Sequence, residues 1–152
     1  MVILSTVLSG VLVFVLGQVV VRLVLDPVAE FKRHVGDIAH SLVFYANRLA
    51  NPPVPADEAA ELRQHFRRLA AVLQARYHVL PKWGARRIGR LLGLPSADAV
   101  HKAAGLLVGL SNSVSDAAPR EPQRCSWWMQ EVADHLGIYV PPNQRISRPE
   151  GV

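Results

Sequence analysis

Six histidines are spread over the 152 residues, and those with carboxylate neighbours are the first places to look for chemistry. Glu30, His34 and Asp37 share one face of any helix that holds them, and Glu61 with His65 repeats a four-residue spacing further along. Two facing helices that offer carboxylates and imidazoles are how helical bundles hold metal ions. The pattern departs from that design, because the usual motif sets Glu and His three apart and repeats, and here the side chains flank an apolar stripe instead of lying inside it. No metal or other cofactor is expected.

Cys125 is the only thiol. Arg120, Arg124 and a following helix N-terminus would lower its pKa and make it reactive, but no base or second Cys accompanies it. The chain has no GxxxxGKS/T, GxSxG, HExxH or CxxC motif, so no catalytic residue can be nominated from spacing.

Charge is more specific. Residues 62–97 carry eight basic side chains and no acidic one, whereas residues 27–61 carry three basic and five acidic, and residues 98–152 five and six. The whole excess of the +5 chain therefore sits on Arg63, Arg67, Arg68, Arg76, Lys82, Arg86, Arg87 and Arg90. Such a field suits anionic lipid headgroups if the domain is held beneath a membrane, with each cation worth about 1 kcal/mol. It also suits an acidic protein partner. Nucleic acid is not expected, since there is no aromatic ladder for single strands and no helix-turn-helix or zinc-finger spacing. Trp127 and Trp128 stand about 100° apart on a helix, so they either pin the last helix to the rest or dock a partner.

The elements that must carry these residues follow from periodicity. From Val2 to Val21 no residue is charged, which is enough at about 1.5 Å per residue to cross a hydrocarbon core of roughly 30 Å. The run lacks the basic opening and the small-residue cleavage site of a secretory leader and ends in Arg22, Leu23, Val24 and Leu25, so we expect an uncleaved anchor over residues 1–26. Ser5 with Ser9 and Thr6 with Gly10 make small-residue pairs through which two such helices could self-associate. Arg22, Lys32 and Arg33 follow the run and place the rest of the chain in the cytoplasm by the positive-inside rule, with the N-terminus outside. A single Cys agrees with that compartment.

Beyond the run, Val28, Phe31, Val35, Ile38, Leu42, Tyr45 and Leu49 step by three and four along one helix, which Asp26 and Pro27 would start with a kink as the chain leaves the bilayer; the alternative is an unbroken helix from the run to Leu49, kinked at Pro27. After a proline-rich turn, Asp57 would cap a second, whose stripe runs Leu62, Phe66, Leu69, Leu73, Tyr77, Leu80. A short third helix is expected over residues 82–94 and a fourth opened by Ser96, with Gly105 and Gly109 on it allowing close packing. With no period-two alternation, the chain reads as all-α: an N-terminal transmembrane helix, a small bundle of about four helices over residues 27–117, a linker over 118–125, a C-terminal helix over 126–137 capped by Ser126, and an extended or disordered tail over 138–152.

This architecture points to a single-pass scaffold or regulatory protein that holds a protein partner, or a second copy of itself, at the inner membrane. Fourteen Arg against three Lys beside abundant Ala suggests a GC-rich bacterial source. The alternatives are a small oligomerising membrane effector, toxin-like, that perturbs the bilayer, and an enzyme acting on a membrane-bound substrate, which would need a pocket of convergent polar groups.

Overall fold

A computed structural model describes residues 2–50, 54–80, 89, 92–114 and 122–146. The described elements are α1 (Val2–Val20), a π-helical segment (Val21–Leu25), α2 (Asp26–Phe44), α3 (Ala46–Ala50), α4 (Ala56–Val79), α5 (Ala97–Ser113), α6 (Pro122–Leu136) and a short 3-10 turn (Pro142–Gln144), with no strand among the described residues. The fold is all-α, as the periodicity predicts.

The first three elements form one unbroken helix of about 65 Å at 1.5 Å per residue. Pro27 should have ended or kinked it, because proline has no N–H and its ring collides with the carbonyl four residues back, here that of Leu23. The chain instead widens its ladder over Val21–Leu25, where the Asp26 N–H donates to the carbonyl of Val21, five residues back. Asp26 therefore caps nothing; it has helical angles, φ -62° and ψ -49°.

The first part of this helix is apolar on every face, and the described side chains along it are exposed instead of being packed against the bundle. By length and composition it is long enough and apolar enough to cross a membrane. Burial begins at Val28, and from there Phe31, Ile38 and Leu42 point into the core. The α2 stripe is interrupted at Tyr45, which closes α2 before α3 delivers Leu49 to the same core.

Helix α4 runs antiparallel to α2 and contributes Leu62, Phe66, Leu69 and Leu73. It begins at Ala56 after Pro55 with no side-chain cap, so Asp57 acts from within the first turn, where its charge complements the helix dipole. Helix α5 starts where expected: the Ser96 hydroxyl accepts from the Ala99 N–H at 3.2 Å. It packs between α4 and α6 and buries Val100, Ala103, Leu107 and Leu110. Helix α6 begins at Pro122, so residues 122–125 of the expected linker are helical and Ser126 lies inside the helix rather than capping it. Proline suits a first helical position, because the amide it lacks would have no partner there.

Gly137 ends α6 at φ 71°, with the Ile138 N–H bonded to Ala133 O at 2.8 Å and the Gly137 N–H to Asp134 O at 3.3 Å. This Schellman arrangement turns the chain back along the helix it has just left. The expected third helix over 82–94 lies outside the described residues except Gly89 and Leu92–Leu94.

Candidate functional site

The α2–α4 seam holds the polar chemistry. His34, only 5% exposed, donates from Nε2 to the Leu69 carbonyl at 3.0 Å, so it lies within the apolar interface and not on its flank as its spacing suggested. Its Nδ1 stands 3.8 Å from the carboxylate of Asp37, which is itself largely exposed. About two turns beyond His34, the buried Ser41 hydroxyl donates to the Asp37 carbonyl at 2.9 Å and meets His65 Nε2 at 3.0 Å. A serine has one proton, and Asp37 takes it, so His65 is the donor in that pair. Burial, and then the nearby Arg68 guanidinium, hold the His65 pKa below its ordinary value, which keeps the ring neutral near pH 7.

Each helix therefore lends one imidazole to the other as a hydrogen-bond donor. A cleft of about 350 Å³ opens beside His65, lined also by Tyr45, Glu61 and Arg68, but Ser41 does not line it. Histidine donating to a buried serine is a clamp between helices, not a base poised over a nucleophile. The carboxylates and imidazoles picked out by spacing are not gathered: among the described residues no three His, Cys, Asp or Glu side chains come together as a metal site.

The basic set is divided by the fold. Arg63, Arg67 and Arg68 are exposed along the middle of α4, and Arg67 donates to Asn112 Oδ1 of α5 at 3.0 Å. Arg76, one turn from the end of α4, donates to the Glu30 carbonyl at 2.6 Å and so stands beside the first buried turn of α2. Lys82, Arg86, Arg87 and Arg90 lie outside the described residues. The α1 residues Thr6, Ser9 and Gly10 are exposed on the apolar rod, and among the described residues no other segment approaches within 4 Å of a Cβ built on Gly10; the Ser5 side chain is outside the described residues.

Trp128 packs its ring on Gly109 of α5, 3.2 Å from where a Cβ would stand, and so pins α6 to the bundle, while Trp127 is half-buried. Of the two glycines expected to permit close packing only Gly109 does so; nothing approaches Gly105. Cys125 is 3% exposed within the core, which withdraws it from the thiol chemistry its neighbours suggested.

We compared the chain with protein families, with curated proteins and with solved structures, and none matches. Function must therefore be argued from geometry.

One surface was not foreseen from spacing. After Gly137 the segment 138–146 returns along α6, where Gln130 receives the Ile146 N–H at 2.7 Å and donates to the Ile146 carbonyl at 3.3 Å. Arg145 adds an ion pair to Asp134 at 2.7 Å. Between this strap, α6 and the far end of α2 runs an apolar groove of about 310 Å³, with Val43 and Tyr139 beside it 79% and 81% exposed. Gly137 followed by an apolar residue was the available signal for the reversal.

Proposed function

We propose that the chain is a single-pass protein of a bacterial inner membrane whose helical bundle, on the cytoplasmic side, holds a partner protein at the membrane surface. The reading is carried by one observation: an unburied, uncharged and predominantly apolar helix runs without a break into the helix that forms the bundle core. Leu12, Val13 and Phe14 are 60%, 70% and 66% exposed, an arrangement that is unfavourable in water and favourable in hydrocarbon. A core helix would be covered, and a removable leader would have to be cut from within one continuous helix. Arg22, Lys32 and Arg33, which follow the apolar run, support a cytoplasmic bundle. Neither seam imidazole is placed to activate a nucleophile, which favours an interaction role over an enzymatic one.

The test uses full-length protein tagged at both ends in bacterial cells. It should resist alkaline extraction, keep its C-terminal tag from protease in spheroplasts, and bring down a stoichiometric partner from gently solubilised membranes. That partner should survive replacement of Val2–Val21 by a generic Leu/Ala span. Cleavage of the C-terminal tag in intact spheroplasts would reverse the topology. A large homo-oligomer without partner, together with vesicle leakage that the generic span abolishes, would establish the effector reading instead.

A further inference from the structure

The antiparallel seam fixes which end of the bundle adjoins the apolar rod. Arg76 reaches Glu30, and Tyr77 packs edge-on to Phe31 with ring centroids 5.8 Å apart, whereas at the other end Arg48 of α3 pairs with Glu58 in the first turn of α4. The C-terminal turn of α4 is thus at the rod end, and each residue past Arg76 lies about 1.5 Å nearer the rod. Val79 comes level with Pro27, and it is 69% exposed at a helix end whose neighbours Leu73 and Leu80 are buried. On α2, Lys32 and Arg33 stand about 7.5–9 Å farther from the rod than Pro27, within reach of that level by their long side chains; both are exposed, and among the described residues no carboxylate pairs with either. The exposed His78 completes the group.

The two ends differ in sign. The rod end carries Lys32, Arg33 and Arg76 against Asp26 and Glu30, while the far end sets Asp57, Glu58 and Glu61 against Arg48 and Arg63, so one end is net positive by one charge and the other net negative by one. We infer that the rod end of the bundle, through Lys32, Arg33, Arg76 and the exposed Val79, rests on anionic lipid headgroups. This surface rests on the proposal that the rod spans the membrane, since the rod brings it to the headgroups. Cations there gain from the surface potential of an anionic leaflet, about five-fold in partition for each, and an exposed aliphatic side chain flanked by long cationic stems suits the interface. An acidic protein partner would have to reach the same end past the bilayer.

The experiment places an environment-sensitive fluorophore at Val79→Cys in the full chain, where the buried Cys125 is shielded from the reagent. The protein is reconstituted in vesicles of phosphatidylcholine alone and with phosphatidylglycerol added. We expect alkali-resistant insertion in both, but blue-shifted emission, quenched by a headgroup-borne quencher, only in the anionic vesicles. High salt should release the contact, and the double variant Lys32→Gln, Arg33→Gln should lower it roughly 25-fold while insertion is unchanged. Insertion with identical emission in the two vesicle types overturns the surface and leaves the anchor standing. Quenching that the double variant does not alter overturns the assignment to these cations. Alkaline release from both vesicle types overturns the anchor and the surface with it.

Discussion

Trp128 lies so close to Gly109 that the two residues define how tightly α5 and α6 can pack. A Cβ there would meet the indole at 3.2 Å, and a branched side chain would meet it closer still. Gly109→Val should therefore destabilise the bundle by about 1–3 kcal/mol in denaturant unfolding. Gly105→Ala, on the same helix but facing open space, should stabilise it by up to about 1 kcal/mol through helix propensity alone. His65 makes a second residue-scale case. Its pKa is lowered from 6.5 in the folded chain, so below that value the unfolded chain takes up a proton that the folded one refuses. Its contribution to stability is whole above pH 6.5 and is lost as pH falls from there through the lowered folded value. The melting temperature of His65→Gln should accordingly fall less steeply than wild type below that pH, and equal slopes would remove His65 from the acid response. Neither seam imidazole could be placed from spacing. Histidine is equally at home on a wet flank or in a core that supplies an acceptor, and the acceptor for His34 is a carbonyl 35 residues away.

Helices were more legible than their ends. Phe31, Ile38, Phe66 and Leu73 follow as stripe residues from period alone, and all are buried because the period is the geometry of the helix itself. Ends depend on which of several local signals prevails. Pro122 outranked Ser126 as a start, and the cost of Pro27 was absorbed by one wide turn, an option that a pattern of residue types does not display. The reversal after α6 gives the element-scale expectation. Gly137 sits at φ 71°, where an L side chain is strained, so Gly137→Ala should cost about 1 kcal/mol in unfolding experiments. Gln130→Leu removes both hydrogen bonds to Ile146 and leaves the helix intact. It should raise amide exchange at residues 145–146 with little change in melting temperature, and unaltered exchange would show that the Arg145–Asp134 pair holds the strap alone.

At the scale of the whole molecule, all-α architecture and the length of the apolar helix were plain in composition and period. The opposed charge of the bundle ends was not, because residues 27–61 and 62–97 read as separate blocks until the antiparallel seam sets their ends side by side. The helix that carries this seam also continues into the rod. Phe44 stands about 28 Å beyond Leu25 on one continuous helix with no flexible joint between them. On the proposed reading, a span that tilts by about 20° to fit a thinner bilayer would swing that far end sideways by about 10 Å. Energy transfer from a donor at Phe44 to an acceptor at the membrane surface should then change with acyl-chain length, and should cease to do so when a flexible glycine-serine insert separates Leu25 from Asp26. The uninterrupted helix is in effect a lever arm, converting the thickness of the surrounding lipid into the position of the apolar groove.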